Sequence, residues 1–367
     1  MLFPLLLFAA ASSGGPADMT PPASAELCGR CHRGIHESWK TSAHALAMES
    51  RLFQEALAMA EADFGADGRN TCLGCHAPVA VKTGDLKLEK KVSWEGVTCD
   101  YCHSIREVSM TQGIAKAMVT FVPTKSGPWK DSVSTGHAVA YSPLHASSMI
   151  CVSCHEYKNA GGFPVLTTYS EWKASSYARQ GKQCQSCHMN RVAGDVVDPR
   201  VARAQHAQVN LHQMAGSHSL EQLNRAIKAQ LFTWREGGAI RVKVDLTNQS
   251  AGHYLPTGSP LRQLILDVRA ESYGSQPYHE ERILTRKVAD QHGTVLGREH
   301  FVFLKAAQVV SDTRLAPGEK RAETVSFPIP AGRRTQIKAT LIYVYSPMAR
   351  NQAQQRVNVM TLNQWVD

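Results

Sequence analysis

All ten cysteines of the chain fall in five copies of one five-residue pattern. The copies are Cys28-Gly29-Arg30-Cys31-His32, Cys72-Leu73-Gly74-Cys75-His76, Cys99-Asp100-Tyr101-Cys102-His103, Cys151-Val152-Ser153-Cys154-His155 and Cys184-Gln185-Ser186-Cys187-His188. Each reads C-x-x-C-H. Its two thiols can add to the vinyl groups of one haem while the adjacent histidine gives the iron an axial nitrogen. A zinc knuckle, a disulfide or a redox dithiol also uses C-x-x-C, but none of them calls for a histidine after every second cysteine. The spacing therefore predicts five covalent haems c. Cys28, Cys31, Cys72, Cys75, Cys99, Cys102, Cys151, Cys154, Cys184 and Cys187 attach them, and His32, His76, His103, His155 and His188 are the proximal ligands.

Six-coordinate irons would need five further ligands. Eleven histidines remain: His36, His44, His137, His145, His206, His212, His218, His253, His279, His292 and His300. Methionine is the alternative sixth ligand. Met189 lies too close to its own motif to fold back, and nothing marks out Met48, Met118, Met149 or Met214. A bis-histidine set is the simpler assignment and predicts low potentials.

The elements that must position these groups follow from what surrounds them. The motifs occupy roughly thirty residues per haem, too little protein for five separate apolar pockets, so the haems themselves must form the core. The formal charge of +9 omits the cofactors. Two propionates per haem bring a five-ferric-haem protein to about +4, and full reduction to about −1, so nucleic-acid binding is not implied. Residues 2–11 are a short apolar run followed by small residues, read as a signal peptide; ten apolar residues are too few to span a bilayer. No other segment is apolar enough to cross a membrane.

A helix is expected over 42–62 from Leu46, Phe53, Leu57 and Ala60, with His44 in its first turns. A turn-rich break is expected at 65–70, a Lys-rich loop over 82–91, and an irregular wrap between His103 and Cys151 that carries His137 and His145. Thr167 to Tyr177 suggests a helix laid against porphyrin faces. His206, His212 and His218 follow at six-residue intervals. Ser219-Leu220-Glu221-Gln222 opens a helix by a capping box, with Leu220, Leu223, Ile227 and Leu231 as its stripe. From Ala239 the period becomes two, in Ile240, Val242, Val244 and Leu246, then in Leu264, Leu266, Val268 and Ala270, with further strands around Val325 and Leu341. The fold class is thus α+β. Residues 1–17 are read as signal peptide and 18–218 as a mostly helical, loop-rich multihaem domain. Residues 219–237 are read as a linking helix and 238–367 as a small antiparallel β-sandwich domain.

The first motif with Trp39, Ser42 and His44 resembles the opening of multihaem cytochromes c related to the tetrahaem partner of hydroxylamine oxidoreductase. The stretch from the fourth motif through Tyr169-Ser170-Glu171-Trp172 to Met189 is similar to multihaem cytochromes of anaerobic and metal-respiring bacteria. So are His212 to His218, the loop Gly252-His253-Tyr254-Leu255-Pro256-Thr257-Gly258, and Asp312-Thr313-Arg314 with Pro317. The resemblance implies His44, His145, His212, His218 and His253 as distal ligands, with His137 in reserve for His145. His253 would then tie the two domains together through iron. His36, His279, His292 and His300 are left as surface or packing residues.

The function expected is electron transport: an exported, periplasmic or extracellular pentahaem cytochrome of anaerobic-type respiration. It would exchange electrons with redox partner proteins, other cytochromes or a quinol-linked donor, and no catalytic residue is needed. One alternative is a nitrite, hydroxylamine or sulfur-oxyanion reductase, which requires an open iron position. The C-x-x-C-K motif of the nitrite reductases is absent. The other alternative is a homo-oligomeric or filament-forming cytochrome, with one subunit's histidine on the next subunit's haem.

Overall fold

A computed structural model describes residues 20–202, 206–346 and 356–367. The signal-peptide reading of 1–17 lies outside them. Helices and strands are both well represented, as the mixed class requires. Among the described residues no helix is long and apolar enough to cross a membrane.

The N-terminal half is built mostly of short helices and turns, and each haem motif lies on one of them. Ala25–Gly29 is capped by Ser24, whose hydroxyl accepts from Leu27 N. Cys99–His103 is capped in the same way by Thr98. The longest helix, Arg51–His76, starts at the Ser50 cap, bends at Gly65 (φ +60°) and ends on the second motif. It buries Phe53, Leu57 and Ala60 before the bend and Leu73 after it.

Two expectations fail here for local reasons. The helix begins at Arg51 rather than at 42: residues 41–49 form turns, in which the His44 carbonyl accepts from Val97 N (3.0 Å) and from Ala47 N (3.5 Å). Gly96 packs on that carbonyl so closely that a Cβ would stand 2.1 Å from its oxygen. The break expected over 65–70 shrinks to a bend at Gly65, since the other residues keep helical geometry.

The gap between the third and fourth motifs is not wholly irregular. It opens with the hairpin Ile105–Thr111 and Ile114–Val119. A short parallel pairing of Lys125–Gly127 with Val139–Tyr141 then closes the loop that carries His137. The 82–91 segment likewise begins in the helix Pro78–Thr83 and ends on the 3₁₀ turn Lys91–Trp94. The helix expected at Thr167–Tyr177 is present as Thr168–Ala174 and Ser176–Arg179.

Ser219 caps the next helix as its pattern predicted, accepting from Gln222 N, but that helix is only Leu220–Ala226. The linking helix expected over 219–237 is therefore corrected. Ile227–Glu236 is a strand paired along its length with Ala239–Asn248, so Ile227 and Leu231 belong to a sheet, and Leu220 is exposed. One sheet has the order Lys320–Phe327, Ala239–Asn248, Ile227–Glu236. The other runs Tyr278–Leu284, Gln263–Ser272, Thr335–Val344, Arg356–Val366, and both are antiparallel. Alternate residues from the two, including Ile240, Val242, Val244, Leu246, Leu264, Leu266, Phe327 and Leu341, share one apolar core.

Candidate haem sites

Each motif lies on a helical turn, so the cysteines at i and i+3 and the histidine at i+4 project from one side. The i to i+4 bond is direct in His32 N to Cys28 O (2.9 Å) and His188 N to Cys184 O (3.0 Å). The fold then sets motifs from different segments against one another. Thiol contacts join Cys28 with Cys99, Cys75 with Cys154, and Cys151 with Cys184. The fourth motif is the meeting point, touching both the second and the fifth.

The proximal imidazoles are oriented from their far nitrogen. His32 Nδ1 meets Val196 O at 2.7 Å, His103 Nδ1 meets Ser126 O at 2.6 Å and His188 Nδ1 meets Ala215 O at 2.6 Å. A ring that donates Nδ1–H to a carbonyl keeps its lone pair on Nε2, the tautomer a metal needs. His137, His212 and His253 have the same arrangement, to Ala138 O (2.9 Å), Asn210 O (2.8 Å) and Tyr254 O (2.9 Å).

Opposed imidazoles give the clearest metric. Two iron–nitrogen bonds of about 2 Å and the ring radii put coaxial imidazole centres about 6.3 Å apart. Four pairs fall at this span: His32 with His137 (6.1 Å), His155 with His44 (6.1 Å), His103 with His212 (6.4 Å) and His188 with His253 (6.3 Å). Burial favours the neutral form, the one a ligand needs, at His44, His155, His212 and His253. It pushes His44, His76 and His212 down to about 4 and His155 to about 3.

Among the described residues, two of the expected distal histidines have no imidazole partner at this span. His145 stands 5.3 Å from His103, closer than an intervening iron permits, and its Nε2 faces Cys102 O at 3.1 Å, while its Nδ1 is buried without a partner. His218 stacks on Tyr345 at 4.4 Å. Around His76 the structure shows Phe53, stacked at 3.9 Å and 9°; among the described residues no second imidazole is paired with it at this span. His206 stacks on Trp129, and buried His300 bonds Asp63 (2.9 Å).

Sequence reasoning did not single out the anchor of the His253 loop. Glu171, between the fourth and fifth motifs, is a buried carboxylate that accepts from Tyr254 N (3.1 Å), Thr257 Oγ1 (2.8 Å) and Thr167 Oγ1 (2.7 Å). Its ion-pair partner is Arg314 (2.8 Å), which also chelates Asp312. Two glutamates and several arginines flank this region, and the sequence does not distinguish which of them meet. The backbone carbonyls that orient the ligands carry no side-chain signal at all.

These donors fit haem: paired thiols with an adjacent histidine, imidazoles held in one tautomer by backbone carbonyls, and at four motifs a second imidazole 6.1–6.4 Å away. Fold and motifs together define a multihaem c-type cytochrome.

The comparisons agree with that class. The family described as cytochrome c554 and c-prime matches residues 27–104, which contain the first three motifs. Cytochrome c-554 of Nitrosomonas europaea is 34% identical over 103 residues, 26% of this chain and 44% of that protein, so the chain spans less than half of this relative's length. The crystal structure of a penta-haem cytochrome c552 from Thermochromatium tepidum superposes with a TM-score of 0.74 at 22% identity, over 95% of this chain and all of the other. That likeness is one of fold.

Proposed function

We propose that the chain is an exported electron carrier holding five haems c, four of them between two histidines. The observation that carries this reading is the set of four imidazole pairs at 6.1–6.4 Å. The ligand sets are His32 and His137, His103 and His212, His155 and His44, and His188 and His253. His137 thus takes the place that the resemblance gave to His145. The haems supply reversible one-electron chemistry at iron.

The chain's own residues do the rest. The cysteines fix each group covalently, and the thiol contacts keep the attachment points of motifs one and three, two and four, and four and five adjacent. Backbone carbonyls at Val196, Ser126 and Ala215 hold the proximal rings in one tautomer. Burial keeps His44, His155, His212 and His253 unprotonated. The C-terminal sheets contribute His253 and so act as part of the haem-binding unit. The periplasm or cell exterior, where c-type haem is attached, is the site of action, and other redox proteins are the partners.

The test is EPR of the oxidised holoprotein with a redox titration. Four low-spin bis-histidine signals and low potentials are expected. High-spin signals from two or more haems would refute the ligand sets.

The surroundings of His76 favour a second reading, in which this one haem lacks a second histidine and is open to a small ligand. Carbon monoxide added to the reduced protein would then shift one haem's Soret band out of five. Turnover of nitrite or hydroxylamine with that shift would make the chain a reductase; no shift would leave it a carrier.

A further inference from the structure

The outer face of the four-stranded sheet carries a polar cluster that electron transfer does not use. Leu266 and Val268 point into the shared apolar core, so Asp267 between them projects to the other face. There it meets the edge strand Tyr278–Leu284, where Glu281 stands directly opposite Asp267 and His279 opposite Arg269. His279 Nε2 donates to Asp267 Oδ2 at 2.7 Å, and Glu281 Oε1 lies 3.7 Å from the same nitrogen. Among the described residues this is the one set of three such side chains whose ligand atoms all lie within 4.8 Å of one another. Arg269 steadies the buried Asp267 from the side, with Nε on Oδ1 at 3.0 Å and Nη2 at 3.4 Å from Oδ2.

Two carboxylates directly across an antiparallel pair repel each other. Arg269 offsets the charge of Asp267, but among the described residues the Glu281 carboxylate accepts no hydrogen bond and faces only His279. Zinc bonds of about 2.1 Å at tetrahedral angles put ligand atoms about 3.4 Å apart, a value that the 2.7 and 3.7 Å gaps bracket. The strand ladder fixes both backbones, while the exposed side chains of His279 and Glu281 can close on an ion by rotation. We propose that Asp267, His279 and Glu281 bind one divalent transition metal ion, zinc being the best fit. Two carboxylates and a neutral imidazole match a dication in charge. The hydrogen on Nε2 passes to Nδ1, which frees the lone pair for the metal. A calcium or magnesium site would be built of oxygen alone, whereas the imidazole nitrogen selects zinc and its neighbours in the transition series. Three protein ligands leave a coordination position open to solvent, and the ion staples the edge strand to the strand beside it.

The site lies on the sheet face turned away from the core, and its test does not depend on how the haems are ligated. Holoprotein treated with a chelator is titrated with zinc chloride by calorimetry, and the zinc retained after gel filtration is counted by elemental analysis. One zinc per chain is expected at micromolar zinc, with the Soret band unchanged, while calcium chloride at the same concentration gives no binding heat. Removing even a partner that orients a ligand lowers metal affinity about 10–100-fold, so removing a ligand should lower it at least as much. His279→Ala and Glu281→Gln, both at exposed side chains that the fold tolerates losing, should each weaken zinc binding by at least about tenfold. A wild-type protein that takes up no zinc would overturn the site. So would either variant binding zinc as tightly as the wild type, which would place the ion on other histidines. Calcium binding as tight as zinc would overturn the choice of metal.

Discussion

Arg314→Met is the most exacting test of how the two halves are joined. Arg314 and Glu171 are 8% and 9% exposed, and their pair at 2.8 Å lies under the loop that presents His253. Arg314 also lies over the Tyr254 ring at 4.7 Å, so methionine retains part of the packing and removes the charge. Stranding one partner of a buried ion pair costs about 3–5 kcal/mol. Three neutral donors, Thr167, Tyr254 and Thr257, stay on Glu171, which places the cost near the lower end, about 3 kcal/mol.

For a chain of this size that is a fall of roughly 4 °C in melting temperature. Because the stranded Glu171 is what holds Tyr254 N and Thr257 Oγ1 of the His253 loop, the His188–His253 haem should be the first to lose its low-spin signal on warming. Adding Glu171→Gln to Arg314→Met removes the stranded charge and should recover about 1 kcal/mol or more. Thermal unfolding followed by Soret absorbance and by EPR reads both effects. A loss under about 1 kcal/mol with an unchanged EPR spectrum would show that the ion pair does not hold the loop.

Other outcomes follow from the ligand geometry and the core. His137→Ala should turn one low-spin haem high-spin in the EPR spectrum, whereas His145→Ala should not; the reverse result would restore His145 as the ligand. Acid should destabilise the protein from about pH 6.5 downward. The buried histidines His44, His76 and His212 have folded values of about 4, so between those limits the unfolded chain takes up protons that the folded chain does not. Urea titrations at pH 7 and pH 5 should show the lower midpoint at pH 5, and equal midpoints would contradict the sign. Leu246→Ala, in the core shared by the two sheets, should cost about 2–5 kcal/mol by denaturant titration while leaving the haem spectrum at room temperature intact.

The local parts of the site were legible in the residues themselves. Two cysteines and a histidine within one helical turn need no tertiary contact to bind one haem, so the spacing alone predicts the cofactor, its count and the proximal ligands. The alternation in Ile240–Leu246 and Leu264–Ala270 was legible for a similar reason, because strand periodicity records which face is buried. Capping by Ser219 was visible too, but the length of its helix was not. Ile227 could extend a helical stripe or open a strand, and the ladder to Asn248 decided for the strand.

Only the tertiary structure decided which histidines oppose which. His32 and His137 are 105 positions apart, and His103 and His212 are 109 apart. Nothing in the spacing marks His137 over His145. The difference lies in a ring distance and in which nitrogen is already engaged. The same holds for Glu171 with Arg314. An axial bond across an iron or a buried ion pair is set by where distant segments meet, whereas covalent haem attachment is completed within five consecutive residues.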